Sequence, residues 1–348
     1  MGRSTKHIMV IRLSAMGDVA MTVPVVRSLV EQHENVKVTV VSKAAYKPFF
    51  DDIQRVSFFE ADTNGRHKGL FGLLRLFDEL NKLHVYCVAD LHNVLRSTII
   101  RKLFALRGKK TARVDKARKE KATLTSQDPV KKVFEPLKPM VQRYAQVFEE
   151  LGFSIDLKDH VFPQKKQLTV DILEYTGQKN GTWIGIAPFA QHDGKVYPKD
   201  QMQEVINSLA VIPGCRLMLF GGGRHEASLL KKYADGRENI LVVAGKMSLK
   251  QEMRLISNLD LMLSMDSGNA HIAAMLGVKV ITLWGATHPY TGFTPFNQPA
   301  DHAITSDREK YPLLPTSVYG NKIVKGYEDA MTTIAPETVV NKIKQVLK

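Results

Sequence analysis

The chain has 348 residues, of which 44% are hydrophobic and 24% are charged. This length fits two domains with ample cores, and the composition excludes both a disordered chain and a protein with many membrane spans. Charge is the unusual feature, because 49 Lys and Arg residues against 35 Asp and Glu residues give a formal net charge of +14. Most of the surplus lies in the first half: residues 1–166 carry +12, whereas residues 167–348 carry +2.

The two cysteines, Cys87 and Cys215, lie in apolar runs in opposite halves of the chain. Their spacing suits neither a metal site nor a disulfide framework, so we expect two buried free thiols in a reducing compartment. No run approaches the roughly 18 apolar residues of a membrane span, and the first residues lack the apolar core of a secretory signal. The sequence thus predicts a cytosolic protein that at most rests on a membrane.

Short β-branched runs alternate with amphipathic stretches, which is typical of β-α-β units with a mainly parallel sheet. In the first half, the predicted strands are residues 8–13, 36–41, 56–59, 84–89 and 111–114. The predicted helices of that half are residues 19–33, 44–50, 71–82, 94–106 and 138–151. Gly152 is predicted to cap the last of them.

The second half repeats the pattern after a polar stretch at 156–181, where 168–176 has a helical pattern. Its predicted strands are residues 183–188, 215–220, 238–244, 259–265 and 278–285. Ser248 and Gln251 have the form of a capping box, and a final helix is predicted to begin at Pro336. We predict two Rossmann-like domains with mainly parallel sheets facing across a cleft, with ligands at the carboxyl ends of the strands.

The turn after the first strand, LSAMGD, contains one glycine and lacks the G-x-G-x-x-G fingerprint of dinucleotide enzymes. Its acidic residue, Asp18, has two interpretations. It is either a first-turn acid stabilised by the helix dipole or a carboxylate placed to take a proton from a bound hydroxyl.

The segment MDSGNAH follows an apolar strand and opens a helix. Its small residues Ser267, Gly268 and Asn269 would let an anion approach the free amides of the first helical turn. The alternatives are that Asp266 is a plain N-cap and that His271 is a packed helix residue.

Two loops of the second half add candidates. Lys195, in the loop GKVYP, is either a point charge for a diphosphate or a solvated lysine. Glu226, in GGGRHE after a strand, either accepts hydrogen bonds from ribose hydroxyls or only favours the start of a helix.

A basic run extends from Arg96 to Lys121. No nucleic-acid-binding signature accompanies it, and membrane phosphates or a phosphorylated acceptor fit the charge equally well; a solvated surface is the plain alternative. The residues expected to form a surface that binds an anionic acceptor are Arg107, Lys109, Lys110 and Lys116.

Six segments in order resemble the bacterial lipopolysaccharide heptosyltransferases, which are glycosyltransferases of family 9 with the GT-B fold. The segments are IMVIRLSAMGDVAMTVPVV, GKVYP, GGGRHE, AGKMSL, MDSGNAHIAAMLGVKVITLWGATHP and AMTTIAPETVV. The resemblance implies an acceptor-binding domain at 1–160, a linker at 161–181 and a nucleotide-sugar-binding domain at 182–335. It also implies that a last helix, 336–348, packs back on the first domain.

Position by position, the resemblance gives Asp18 the role of general base. It places Lys195 at the donor diphosphate, Glu226 at the nucleoside ribose and Met247 at the adenine. These are roles that the resemblance implies and that the spacing of the residues alone does not give.

The same matching puts Asp266 at the leaving diphosphate, with Ser267, Gly268 and Asn269 as the region of its amide donors. His271 matches a histidine that faces the donor sugar. No Asp-x-Asp motif stands at a strand end, so no metal and no cofactor are expected beyond the ADP-sugar substrate.

The implied reaction is inverting transfer of L-glycero-D-manno-heptose from its ADP donor to a hydroxyl of the lipopolysaccharide inner core. The implied partners are ADP-heptose, the lipid A-linked acidic acceptor and the cytoplasmic face of the inner membrane, with no nucleic acid. One alternative is another nucleotide-sugar enzyme of this fold, an epimerase or a transferase of a different sugar. The other is a non-catalytic binder of anionic lipid or nucleic acid.

Overall fold

The computed structural model describes residues 4–322 and 324–348, and these divide into two compact units. The first unit consists of the chain up to Lys116 together with Lys138–Phe162, and the second of Ala117–Leu137 together with Pro163–Lys348. The sequence-based boundaries put 117–137 in the first domain, and most of the predicted linker at 161–181 lies within the second unit.

The described strands and helices are numbered in chain order. The strands are β1 Lys6–Ile11, β2 Val36–Ser42, β3 Val56–Glu60, β4 Cys87–Asp90, β5 Lys110–Arg113, β6 Thr182–Ala187, β7 Cys215–Leu219, β8 Ile240–Val242, β9 Leu261–Met265, β10 Lys279–Trp284 and β11 Ala303–Thr305. The α-helices are α1 Met16–Ala20, α2 Thr22–Gln32, α3 Gly69–Asn81, α4 Leu95–Leu106, α5 Arg118–Leu124, α6 Met140–Leu151, α7 Val170–Thr176, α8 Lys199–Ala210, α9 Gly223–Ala234, α10 Leu249–Ile256, α11 Gly268–Met275 and α12 Pro336–Leu347.

The first unit contains a five-stranded parallel sheet in the order β3-β2-β1-β4-β5. Helices α3 and α4 pack on it, and the rings of Phe77 and Phe104 meet edge to face with centroids 5.0 Å apart. These rings lie in one buried cluster with Ile11 and Val88 of the strands. Gly152 ends α6 with a φ of 96°, as its position in the sequence predicts.

The second unit contains a six-stranded parallel sheet in the order β11-β10-β9-β6-β7-β8. Its core joins aliphatic side chains of the strands to those of α8, α9 and α12. Helix α12 begins at Pro336 as predicted, and the expectation that it packs back on the first domain stays a prediction. Its buried residues Val339, Val340 and Ile343 lie in the core of the second unit, where α12 packs against α8.

The predicted fold class is confirmed, because both units are parallel α/β sheets covered by helices. The capping box of α10 is also present, with the Ser248 amide donating to Gln251 Oε1 at 2.8 Å. Two elements lie where the sequence shows no clear pattern. Helix α5 begins inside the basic run and extends past its end, and β11 is a short edge strand in the segment from Tyr290 to Gly326 where periodicity is lost.

Cys87 and Cys215 are buried free thiols, as expected. Burial raises the pKa of Cys87 to about 12 and that of Cys215 to about 11, so both thiols stay protonated near neutral pH. In the part of the chain that the structure describes, no helix has the length and hydropathy needed to cross a bilayer.

The division into units changes how the positive charge is distributed. The first unit holds 23 basic and 15 acidic residues, a net charge of +8, and the second holds 26 and 20, a net charge of +6. The basic run is split as well, because Arg96–Lys116 belongs to the first unit and Arg118–Lys121 to the second. The asymmetry between sequence halves is therefore much weaker between folded units.

Candidate functional site

Asp18 lies in the first turn of α1, just after the carboxyl end of β1. Its Oδ2 accepts from the Ala15 amide at 3.3 Å and lies 2.6 Å from Arg12 Nη2. Both contacts use Oδ2, so Oδ1 can receive a hydrogen bond from a ligand. The carboxylate is a quarter exposed, which leaves it accessible.

Arg12 is buried, and three contacts fix its guanidinium. Nη1 donates to the Leu91 carbonyl at 2.7 Å, the group lies 5.8 Å from the Tyr144 ring centroid, and Nη2 pairs with Asp18. A planar guanidinium held in this way presents its donors in a fixed direction. Arg12 therefore determines where the Asp18 carboxylate lies.

His92 marks the centre of a cationic edge in the first unit. The pKa of His92 is lowered to about 3, mainly by burial and further by the charges of Arg12, Lys116 and Lys43. The Asp18 carboxylate has the opposite effect and raises this pKa. The ring stays neutral, and its Nδ1 accepts from the Leu13 amide at 3.4 Å. The segments that follow β1, β2 and β5 thus bring the cations Arg12, Lys43 and Lys116 to the carboxyl edge that holds Asp18.

The four basic residues predicted as an acceptor surface do not lie together. Arg107, Lys109 and Lys110 lie where α4 ends and β5 begins, which is the amino edge of the parallel sheet. Lys116 follows β5 and lies at the opposite, carboxyl edge with Asp18. The reason is the direction of β5, which places Arg107 and Lys109 before the strand and Lys116 after it.

In the second unit, Lys195 and Asp266 form an ion pair. Lys195 lies in a 3-10 turn in the loop after β6, and Asp266 directly follows β9. Lys195 Nζ lies 3.0 Å from Asp266 Oδ2, and both side chains are largely buried. The two residues meet because β6 and β9 are neighbours in the sheet. Lys195 is therefore a held cation at a strand end and not a solvated loop lysine.

Ser267 precedes the first turn of α11 with extended backbone, and its side chain does not cap the helix. Its hydroxyl instead lies 3.1 Å from the hydroxyl of Ser264 on β9. The amides of Gly268 and Asn269, at the positive end of the helix dipole, can thus donate hydrogen bonds to an anionic ligand. His271, one turn further on, is buried.

Glu226 and Met247 follow the next two strands of the sheet. Glu226 lies in the first turn of α9 after β7, and its Oε2 accepts from the Gly222 amide at 2.6 Å. Met247 is half-buried between β8 and α10. The Gly222 contact orients Glu226 over the glycine loop.

The strand order turns these residues into a row. Asp266, Lys195, Glu226 and Met247 follow β9, β6, β7 and β8, which are consecutive neighbours in the sheet. Neighbouring strands lie about 4.8 Å apart, so the row spans about 14 Å. A ligand lying along the row from the Lys195–Asp266 ion pair would contact the Lys195 cation, then the Glu226 carboxylate and then the apolar side chain of Met247.

Sequence reasoning missed Arg12 and Lys43. Each directly follows the strand that carries it, β1 and β2 respectively. The rule that ligands bind at the carboxyl ends of parallel strands could have singled them out. Within residues 4–322 and 324–348, no three His, Cys, Asp or Glu side chains are grouped to hold a metal ion, and the expected absence of a metal requirement stays a prediction.

Known proteins similar to this chain are found at the level of both sequence and structure. The model of glycosyltransferase family 9 (heptosyltransferase) matches residues 73–322. Lipopolysaccharide heptosyltransferase 1 of Campylobacter coli is 22% identical over 306 residues, which cover 81% of this chain and 85% of the relative.

Two solved structures share the fold. A family 9 glycosyl transferase from Veillonella parvula superposes with a TM-score of 0.76 at 19% identity, covering 100% of this chain and 98% of the other. E. coli heptosyltransferase WaaC with ADP superposes with a TM-score of 0.65 at 19% identity, covering 98% and 99%. These likenesses confirm the predicted GT-B class of two parallel-sheet domains.

Proposed function

Because the chain belongs to glycosyltransferase family 9, the heptosyltransferases, it is a glycosyltransferase, and we propose that it moves L-glycero-D-manno-heptose from an ADP donor to the lipopolysaccharide inner core. The row along β9-β6-β7-β8 carries the proposal. A nucleoside diphosphate sugar presents a diphosphate, a ribose and a base in sequence, which is the order of chemistry that the row offers. The similar E. coli protein was solved with ADP, which supports an adenine nucleotide.

Lys195 and the α11 amides carry the leaving-group step of this proposal. As the glycosidic C1–O bond breaks, the ADP oxygen takes up negative charge, and preorganised donors lower the barrier where that charge appears. Lys195 Nζ is held 3.0 Å from Asp266 Oδ2. We propose that phosphate oxygens share this ammonium with Asp266 and that Gly268 and Asn269 supply amide donors. These groups meet the charge without a metal ion or another cofactor.

Asp18 carries the acceptor step. A sugar hydroxyl is a weak nucleophile until a base takes its proton. With Oδ2 occupied by Arg12 and Ala15, we assign the proton to Oδ1. Attack on the face of C1 opposite the ADP then inverts the configuration at C1. His271 is proposed to face the donor sugar, as the family resemblance implies.

The acceptor is proposed to be a lipid-linked, acidic sugar of the inner core. Lys43 and Lys116 lie at the carboxyl edge that holds Asp18, where they can attract carboxylate or phosphate groups of such an acceptor. Nucleic acid is not proposed as a partner, because the cations at this edge are few and no nucleic-acid-binding signature accompanies them.

We also propose that the protein works at the cytoplasmic face of the inner membrane as a peripheral protein. Helix α3 begins on the side of the sheet where the strands end, and its first turns expose Leu70 and Phe71, the latter to 87%. Exposed apolar side chains next to cations are typical of proteins that bind anionic bilayers. Replacing both with Ser should weaken flotation with phosphatidylglycerol vesicles. Leu106→Ser should not, because Leu106 is as exposed as Phe71 but is the last residue of α4, on the opposite edge of the sheet. Equal flotation of all variants contradicts this part of the proposal.

The reaction itself is tested with ADP-heptose and a panel of truncated core acceptors. We expect a product larger by one heptose only when both substrates are present. Release of free heptose without an acceptor, or an epimerised donor, would instead identify another nucleotide-sugar enzyme. Salt-sensitive binding of nucleic acid or lipid without any binding of ADP-sugar would identify a non-catalytic binder.

A further inference from the structure

A turn at Ser317–Gly320, more than a hundred residues from Lys195 in the chain, lies against the stem of this lysine. Gly320 has a φ of 77°, and a Cβ built on it would lie 2.3 Å from Lys195 Cγ and 2.6 Å from Lys195 Cδ. Such distances are shorter than the contacts found between non-bonded carbon atoms in proteins. The lysine stem therefore occupies the space that a side chain at position 320 would need.

The turn is fixed by its own hydrogen bonds. Ser317 Oγ accepts from the Gly320 amide at 2.9 Å and from the Tyr319 amide at 3.2 Å. The same hydroxyl lies 3.0 Å from Asn321 Oδ1, to which it donates. A serine that bonds the amides two and three residues on forms a local turn that holds the backbone.

The turn is also tied to the backbone that carries Lys195. The Ser317 amide donates to the Ala286 carbonyl at 3.1 Å, and the Ala286 amide donates to the Gly194 carbonyl at 2.7 Å. A Cβ on Gly194 would lie 2.8 Å from the Gly320 carbonyl oxygen. The backbone before Lys195 and the turn beside its stem are thus held at a fixed separation.

We infer that Gly320 is a positioning residue that directs the Lys195 ammonium to the donor diphosphate. This inference rests on the proposed role of Lys195. A free lysine side chain samples many rotamers, and a lysine whose stem is confined loses less entropy when it binds a phosphate. The contact with Gly320 confines the Cγ and Cδ atoms, and the ion pair with Asp266 confines the ammonium.

Gly320→Ala tests the inference, and Gly326→Ala is its matched control. Gly326 lies in the same segment with a φ of 82°, but a Cβ on it would meet nothing within 4 Å. Both variants carry the strain of alanine in the left-handed region, and only the first displaces Lys195. The Tm of each variant measures the shared strain.

The first measurement needs no donor. We expect an amine-acylating reagent to modify Lys195 several times faster in Gly320→Ala than in the wild type, as followed by peptide mass spectrometry, because the ammonium leaves its protected place. Gly326→Ala should retain the wild-type rate. An unchanged rate in Gly320→Ala overturns the inference, whatever the protein binds.

The second measurement is titration of the full chain with ADP. We expect Gly320→Ala to bind ADP about tenfold more weakly, on the scale of the rotamer entropy of one lysine. In a Lys195→Ala background the same change should have no further effect. An equal loss in that background, or in Gly326→Ala, contradicts a positioning role. If Lys195→Ala itself leaves ADP affinity unchanged while acylation responds to Gly320→Ala, the proposed donor site is wrong and the contact is right.

Discussion

Arg12 Nη2 lies 2.6 Å from Asp18 Oδ2, and the same guanidinium donates to the Leu91 carbonyl through Nη1. A buried cation thus holds one oxygen of the proposed base, and Oδ1 is the oxygen to which we assign the proton of the acceptor. The arrangement makes the direction of Asp18 depend on a residue that need not touch the substrate.

We expect Arg12→Lys to lower kcat about 10- to 100-fold with little change in donor affinity. A lysine keeps the charge but cannot contact Leu91 and Asp18 with two donors in one plane, and misplacement of a base by about 1 Å costs on this order. Arg143→Lys is the control, since Arg143 pairs with Asp115 at 2.7 Å in the same unit. A normal kcat in Arg12→Lys would show that Asp18 does not depend on this contact.

Asp18→Asn should lower turnover by about two to four orders of magnitude, the usual contribution of a general base. The amide keeps the size of the side chain but cannot take a proton. Binding of ADP, measured by titration, should stay within about twofold of the wild type because the base acts on the acceptor. Near-normal turnover would remove Asp18 from the mechanism.

Lys195→Ala should weaken ADP binding about tenfold to a hundredfold, since charge-assisted contacts of a largely buried lysine contribute about 1.5–3 kcal/mol. Lys199, exposed at the start of α8, provides the control. If Lys195→Ala and Lys199→Ala bind ADP equally, the diphosphate does not lie at the ion pair with Asp266.

The two edges of the first sheet can be compared directly. Lys43→Ser combined with Lys116→Ser should raise the KM for the acidic acceptor about tenfold, because both cations lie at the edge that holds Asp18. Lys109→Ser combined with Lys110→Ser removes the same charge from the opposite edge and should change KM much less. The reverse result would return the acceptor surface to the residues predicted from the basic run.

Glu252 gives a pH dependence of stability. Burial raises its pKa to about 7, above the ordinary value that it regains on unfolding. The unfolded state therefore releases the Glu252 proton at a lower pH than the folded state does. The contribution of this protonated carboxyl to the free energy of unfolding is complete below about pH 4 and is lost as the pH rises toward 7. We expect Glu252→Gln to raise the Tm at pH 8 by a few degrees, with a smaller gain at pH 5. Glu204→Gln, at an exposed position on α8, should show no such trend.

Much of the site was predictable because its residues follow recognisable strands. Asp18, Asp266 and Glu226 each lie within a short loop or first helical turn after an apolar run, and the parallel pattern puts all such ends on one edge of each sheet. Matching to the family added roles that the residues alone left open. The same rule applies to Arg12 and Lys43, which directly follow β1 and β2, although the density of positive charge in the basic run does not indicate them.

The sequence by itself determined most of the strands and helices, since β-branched runs, capping residues and amphipathic periods act over a few residues. Tertiary structure decided which of them meet. Lys195 and Asp266 are 71 positions apart and pair only because β6 lies beside β9. Helix α12 joins the core of the second unit, and residues 117–137 leave the first. Such choices depend on which apolar faces can be buried together in three dimensions, and no local pattern records that competition.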